Sequence, residues 1–140
     1  PFGDLDGDGD ANYAEITSRS FPTDPCSNSD VSISSSGTTN TTTGGTANLD
    51  VDVQPGTFWI TGIALGRVAA GSGIVLPGVA CEVLLDPLLF LGSVAGAGAG
   101  FTLTIPANPV FVDTEFVFQT LAIDATSALF VSNLSGMRLF

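Results

Sequence analysis

Apolar and polar residues alternate in several short stretches of the chain. Residues 49–53 alternate Leu or Val with Asp, and residues 101–105 alternate apolar side chains with Thr. Because successive side chains of a β-strand point to opposite faces, an alternation with a period of two predicts a strand with one buried face. Both stretches are therefore predicted to be strands with one face in the core and the other in solvent.

Further runs are rich in β-branched and aromatic residues and are bounded by turn-forming residues, which predicts more strands. These runs are residues 57–65, 80–85, 115–123, 128–132 and 137–140. Helical periodicity is absent except at residues 11–19, and the glycine-rich residues 92–100 favour a flexible arm or a close backbone approach over a strand. Eight or nine short strands predict an all-β fold, an antiparallel two-sheet sandwich of immunoglobulin-like or jelly-roll type.

The composition divides the chain into three regions. Residues 1–30 hold seven of the 14 carboxylates and are predicted to form a calcium-binding acidic loop or connector. Residues 31–46 are mostly Ser, Thr and Gly and form either a linker or a first strand. Residues 47–140 are predicted to form the sandwich, and 140 residues in total suit one domain.

The charge balance excludes several classes of function. The chain has no His, three cationic residues and a formal net charge of −11. Without imidazole there is no Ser-His-Asp arrangement and no His-based metal site, and we expect no enzyme activity. So acidic a chain would repel nucleic acid, and its apolar runs are too interrupted for a membrane span.

Cys26 and Cys81 are the two cysteines of the chain. They form either a disulfide with each other or two buried reduced thiols, and the polar surroundings of Cys26 in the sequence favour the disulfide. A disulfide requires an oxidising compartment. Because the sequence starts at Pro1 without a signal-peptide pattern, we interpret it as a mature segment located outside the cell or at the cell surface.

The N-terminal region contains a full twelve-position calcium-loop pattern at residues 4–15, DLDGDGDANYAE. Calcium prefers six to eight oxygen ligands, and Gly9 permits the turn that lets alternate side chains point inward. The alternative is an acidic surface turn, in which the crowded carboxylates would repel one another. The sequence therefore predicts calcium as a cofactor, with the metal ligands Asp4, Asp6, Asp8, Asp10, Asn12 and Glu15.

This segment resembles the calcium-binding repeats of bacterial extracellular proteins that are related to thrombospondin type 3 repeats. The matching residues are the Asp-rich stretch 4–8, Glu15 and the later Thr-Asp-Pro at residues 23–25. The resemblance implies a stiffened connector between extracellular domains. Whether Asp24 or Asp30 also contacts the ion stays open.

The second half of the chain is loosely similar to a repeated β-domain at the C-termini of large secreted proteins of environmental bacteria. The resemblance is carried by Cys81-x-x-Leu-x-Asp-Pro, by residues 100–106 (GFTLTIP), by Phe118-Gln119 and by Ser132-Asn133. It implies a β-fold and a location outside the cell.

Two Asn-x-Ser/Thr sequons make the chain a candidate glycoprotein. The candidate sites are Asn40, the adjacent Thr41 and Thr42, and Asn133, with a bare flexible linker as the alternative for the first region. Of the strong sugar-stacking residues, Tyr13 and Trp59, Trp59 lies in a run that is apolar on both faces and is expected in the core.

These features favour a structural subunit of an extracellular fibre or cell-surface assembly. Such a subunit would form a homo-polymer, stabilised by calcium and joined head to tail by strand or segment exchange. The alternative is a carbohydrate-binding or spacer module of a larger secreted protein.

Overall fold

In the computed structural model of the protein, the described residues are Gly3, Cys26 and the ranges 31–37, 40–95 and 100–140. They form eight strands and one 3₁₀ helix at Pro109–Phe111. The strands are β1 (Val31–Gly37), β2 (Gly45–Val53), β3 (Phe58–Ala64), β4 (Phe90–Ala95), β5 (Gly100–Ile105), β6 (Glu115–Ile123), β7 (Leu129–Val131) and β8 (Ser135–Arg138).

These strands build two antiparallel sheets. The three-stranded sheet has the order β1-β2-β5, and the five-stranded sheet has the order β4-β3-β6-β7, with β8 also paired to β6. A constant-type immunoglobulin domain places its first, second, fifth and fourth strands in one sheet and its third, sixth and seventh in the other. The present order differs from it in that β4 pairs with β3 instead of β5. The predicted all-β fold with two antiparallel sheets is confirmed.

The core lies between the two sheets and follows the predicted alternation. In β2, Ala47, Leu49 and Val51 are buried while Asp50 and Asp52 are exposed. Opposite them, Trp59 is 8% exposed and stacks on Phe101 with ring centroids 6.0 Å apart, so it belongs to the core as expected. Burial of these apolar side chains is the main stabilising contribution to the fold.

The long connection between β3 and β4 folds back over the outer face of the five-stranded sheet. Leu85 of this connection packs on Ala64 of β3 and Val117 of β6 and forms a second, smaller core. Gly62 of β3 makes this packing possible, because a Cβ at that position would collide with Leu85. We call residues 65–89 the β3–β4 loop.

Gln119 of β6 fastens the β3–β4 loop to the sheet. Its Oε1 accepts a hydrogen bond from the Leu84 amide at 2.8 Å. Its Nε2 donates to the Glu82 carbonyl at 2.9 Å and to the Ser132 carbonyl at 3.0 Å. A single buried amide therefore satisfies three backbone groups, two of which belong to the loop.

The secondary structure differs from the sequence prediction in two segments. Residues 80–85 were predicted to form a strand, but they belong to the β3–β4 loop and contribute only isolated bridges at Val83 and Leu85. Residues 92–95 complete β4 although their glycine content argued against a strand. The possible helix at residues 11–19 lies outside the described residues, and no described helix is long and apolar enough to cross a membrane.

We predict that Gln119→Leu lowers the free energy of unfolding by about 2–4 kcal/mol, because the substitution leaves buried backbone groups without partners. Urea denaturation followed by tryptophan fluorescence would measure the loss. The same substitution at the exposed Gln54 is the control. An equal effect of both variants would contradict the role assigned to Gln119.

Candidate functional site: the open side of the sandwich

One side of the sandwich is sealed by a side-chain amide. Asn133 lies between β7 and β8, and its Oδ1 accepts a hydrogen bond from the Ile33 amide at 3.1 Å. Its Nδ2 donates to the Ile33 carbonyl at 2.9 Å. The side chain thus pairs with β1 as a neighbouring strand would, and it joins the edges of the two sheets.

A second contact extends this seal toward the end of β1. The Ser35 and Ser135 hydroxyls lie 2.7 Å apart, and the Ser35 hydroxyl also donates to the Gly136 carbonyl at 3.3 Å. The free edge of β1 is therefore contacted at two positions, through the backbone of Ile33 and through the hydroxyl of Ser35. These contacts join β1 to the segment that contains Asn133 and β8.

On the opposite side of the sandwich, the described strands leave the two sheets unjoined. Among the described strands, β4 ends the five-stranded sheet and β5 ends the three-stranded sheet, and the two do not pair with each other. Between them lies a groove of about 360 Å³. Its lining combines Leu91, Gly92 and Ser93 of β4 with residues 103–106 and with Ile63, Phe111 and Phe116.

The two edges beside this groove carry no charged residue and no proline. β4 reads FLGSVA and β5 reads GFTLTI. Natural edge strands are usually protected from pairing by charges, proline or a covering segment. Within the described part of the chain, the open side is thus a pair of uncharged edges around an apolar groove, with one irregularity where β4 pairs with Ile63 and Ala64. Such edges suit the addition of a strand from another molecule.

The apolar residues of β4 are also unusually exposed. Leu91 is 55% exposed and Phe90 is 48% exposed, although both belong to a strand of the main sheet. A strand whose large apolar side chains remain in water gains free energy when a partner covers them. The open side is the candidate functional site.

The outer face of the three-stranded sheet is polar and has a different character. Its shallow hollow of about 280 Å³ is lined by small polar side chains of three strands, including Ser34, Asp50 and Thr102. Thr102 donates to the Asn48 Oδ1 at 3.0 Å. Asp50 and Asp52 point into solvent on this face, which places them on the hydrated side of the sheet.

The predicted glycosylation residues have different surroundings. Asn40 is exposed, and its Oδ1 accepts hydrogen bonds from the amides of Thr42 at 2.8 Å and Thr43 at 3.3 Å. Thr41 is 1% exposed, and its hydroxyl donates to the Phe140 carbonyl at 2.8 Å. Thr42 is exposed, whereas the Asn133 amide is already engaged with β1.

The predicted disulfide between Cys26 and Cys81 is present, with Cα atoms 4.9 Å apart. Cys81 belongs to the β3–β4 loop and is buried. The bond therefore ties the N-terminal region to the outer face of the five-stranded sheet.

The predicted calcium ligands Asp4, Asp6, Asp8, Asp10, Asn12 and Glu15 lie outside the described residues, and so do Asp24 and Asp30. In the ranges that the structure describes, no three His, Cys, Asp or Glu side chains come together in a way that could hold a metal.

Two local electrostatic features lie at the rim of the sandwich. Arg138 and Asp113 form an exposed ion pair at 3.6 Å. In the β6–β7 turn, hydrogen bonds from the Thr126 side chain and the Ala128 amide lower the pKa of Asp124. Since both partners of the Arg138–Asp113 pair are exposed, this ion pair adds little to stability.

The sequence did not reveal the roles of Gln119 and Asn133. A lone Gln inside the apolar run 115–123 was the available signal for the first, because an uncharged polar residue in a buried strand requires hydrogen-bond partners. Asn133 belongs to a sequon and, like Gln119, to the residues that carry the β-domain resemblance, but neither pattern indicates a contact with β1. No pattern in the sequence indicates the open groove, because the groove depends on which strands pair with one another.

We predict that Asn133→Ala lowers the free energy of unfolding by about 1–3 kcal/mol, because both backbone groups of Ile33 lose their partner. Asn40→Ala is the matched control, because it also removes two hydrogen bonds from backbone amides, but at an exposed site where water can replace them. Its loss of stability should therefore be smaller, about 1 kcal/mol or less. Thermal and urea unfolding of the two variants would give both values. Similar losses in both would show that Asn133 does not hold β1.

No protein-family model, no curated protein and no solved structure matches this chain.

Proposed function

We propose that this protein is a structural subunit of an extracellular fibre or cell-surface assembly, in which copies join head to tail by strand addition at the open side. The observation that carries the proposal is the pair of uncharged edges, β4 and β5, on either side of an apolar groove. An added strand would pair with one edge through its backbone, and alternate side chains would enter the groove.

The asymmetry of the sandwich supports a directional assembly. The β1 side is closed by Asn133 and Ser35, whereas the β4–β5 side is open. A subunit with one open side accepts a segment from a neighbour and must donate a different segment to the next one. Such an interface is heterologous and produces a chain of subunits unless it closes into a ring.

The N-terminal region is the natural donor in this proposal. Its connection to the sandwich is covalent twice, through the backbone into β1 and through the disulfide to Cys81. A force that pulls on the N-terminal region would therefore be divided between two connections. One leads through β1 to the three-stranded sheet, and the other leads through the disulfide to the β3–β4 loop. The resemblance of residues 4–25 to stiff extracellular connectors fits this use.

Calcium and glycan belong to the same proposal. Calcium bound at residues 4–15 would neutralise crowded carboxylates and stiffen the donor segment. A glycan is proposed at Asn40, which is exposed, and not at Asn133, whose amide holds β1. The disulfide supports an oxidising location outside the cell.

The alternative of a carbohydrate-binding module has less support. Of the two aromatic residues that could serve as a sugar platform, Trp59 is buried against Phe101, and Tyr13 lies outside the described residues. A spacer in a larger secreted protein would also explain the connector and the disulfide, but it would not explain the open groove.

We predict that Leu91→Glu abolishes filaments, because it places a charge at the mouth of the apolar groove where the added strand must pack. Negative-stain electron microscopy of the purified protein with calcium would show filaments for the wild type and single particles for the variant. Val75→Glu is the matched control, since Val75 is 65% exposed in the β3–β4 loop and does not line the groove. Filaments of Leu91→Glu, or a wild type that stays monomeric, would refute strand addition at this side.

We also predict that the chain binds one calcium ion at residues 4–15. Isothermal titration should show binding that is lost in the double variant Asp4→Ala, Glu15→Ala. At free calcium 100-fold above the dissociation constant, binding should raise the free energy of unfolding by about 2.7 kcal/mol if the loop is ordered only in the folded protein. The double variant Asp50→Ala, Asp52→Ala removes the same number of carboxylates from the polar face and should keep the binding; equal losses in the two double variants would contradict the assignment.

A further inference from the structure

The polar face of the three-stranded sheet has a gap next to the edge of β5. Gly100 of β5 pairs with Asp50 of β2, and both positions lie on the outer face. A Cβ at Gly100 would lie 3.3 Å from the Asp50 Oδ1. The Asp50 carboxylate is therefore directed toward β5, and because glycine has no side chain, only backbone separates this carboxylate from the edge of β5.

Asp50 is placed to receive a cation from that edge. It is exposed, and in the ranges that the structure describes it forms no ion pair. Thr102 and Thr104, the other outward residues of β5, have side chains that occupy the neighbouring positions along the edge. A cation on a strand added to β5 therefore reaches a carboxylate at one position, across Gly100.

The groove restricts which segment can be the added strand. β5 is six residues long, and a carboxylate that enters an apolar groove would be costly. The N-terminal region, the donor in the proposed function, has carboxylates at residues 4, 6, 8, 10, 15, 24 and 30. Of the stretches between them, only residues 16–23 (ITSRSFPT) are as long as β5. Since Pro22 cannot donate to a strand ladder, the six-residue strand is residues 16–21.

The alternation of side chains determines which face of this segment meets the groove. In a strand, residues 16, 18 and 20 share one face, and residues 17, 19 and 21 share the other. Because a guanidinium in the apolar groove would be costly, Arg19 must lie on the outer face, so Ile16 enters the groove. Arg19 is one of three cationic residues of the chain and the only one in the N-terminal region. On the outer face it can reach across Gly100 to Asp50.

The disulfide determines whether the segment can use the groove of its own molecule. Cys26 is bonded to Cys81, whose Sγ lies 3.9 Å from the Gln119 Nε2 and thus over β6. Five residue steps lead from Phe21 to Cys26 and span at most about 18 Å. The path around β4 to β5 crosses two strand spacings and the distance between the sheets, about 20 Å even before the turn around the edge. The segment is therefore too short to reach its own groove by this path, which leaves the groove of another copy.

We infer that residues 16–21 of one copy add to the β5 edge of the next copy, with Arg19 paired to Asp50 across Gly100. The inference rests on the proposed function and names the segment, the edge and the register of the strand addition. The ion pair is exposed, so it adds little affinity. It selects the register, because a shift by one residue would turn Arg19 into the groove. It also brings opposite charges together between two copies whose net charge of −11 otherwise keeps them apart.

The first test exchanges the two charges. Sedimentation of filaments in the presence of calcium, over a range of protein concentrations, gives the critical concentration for assembly. Arg19→Asp and Asp50→Arg should each raise it roughly tenfold, because like charges then meet, and the double variant should restore it to within about threefold of wild type. Asp50→Arg replaces a negative charge with a positive one, which lowers the overall repulsion between copies. A loss of assembly in that variant is therefore specific to the pair.

Two matched controls carry the same charge changes elsewhere. Asp52 lies on the same face as Asp50 but has no partner in β5, and Arg67 is an exposed cation of the β3–β4 loop. Asp52→Arg and Arg67→Asp should change the critical concentration by no more than about twofold. Melting curves check that each variant is folded. Assembly that is unchanged in Asp50→Arg, or that is not restored in the double variant, overturns the inference.

A peptide separates this inference from the proposed function. The acetylated and amidated peptide of residues 16–23 is titrated into the Arg19→Asp protein, whose own segment is disabled, and the amide NMR signals of β5 are followed. The peptide should shift these signals, and should not do so when the protein also carries Leu91→Glu. The peptide with Arg19→Asp should bind only after Asp50→Arg is added to the protein. A peptide that does not bind overturns the inference.

The combined results distinguish the two ideas. Wild-type filaments that disappear in Leu91→Glu, together with no effect of the peptide or of the charge exchange, would keep strand addition and reject residues 16–21 as the added strand. A wild type that stays monomeric, together with a peptide that binds as expected, would keep the contact between residues 16–21 and β5 and reject the fibre.

Discussion

The pairing of Asn133 with Ile33 is the interaction on which the shape of this sandwich depends. The strand along the edge of β6 is interrupted after Val131 and resumes at Ser135, and the interruption turns Asn133 toward β1. Because its amide offers both an acceptor oxygen and N–H donors, it satisfies both backbone groups of Ile33 and joins the two sheets along one side. Among the described strands, the edges of β4 and β5 on the opposite side do not pair with each other.

A chain with so few cations cannot rely on ion pairs to hold its loops. The described ion pair, Arg138 with Asp113, is exposed and contributes little. The β3–β4 loop is held by different means: Gln119 from the sheet below, Leu85 in a small core, and the disulfide from Cys81 to Cys26. These contacts keep their strength in high salt, whereas the repulsion between acidic copies falls. Such a protein is therefore well suited to association through uncharged surfaces.

Much of the sandwich could be predicted because burial on one face leaves a period-two pattern. The alternation at residues 49–53 and 101–105 located β2 and β5, and the apolar run at 115–123 located β6. The strand predicted at residues 80–85 was wrong because an apolar run indicates burial but not the kind of structure that is buried. Leu85 belongs to the β3–β4 loop and is buried against the outer face of the five-stranded sheet. Residues 92–95 were not predicted to be a strand, yet they form the end of β4. Their pairing with β3 outweighs the low strand propensity of Gly92. The open groove depends on contacts between distant strands, which no local pattern encodes.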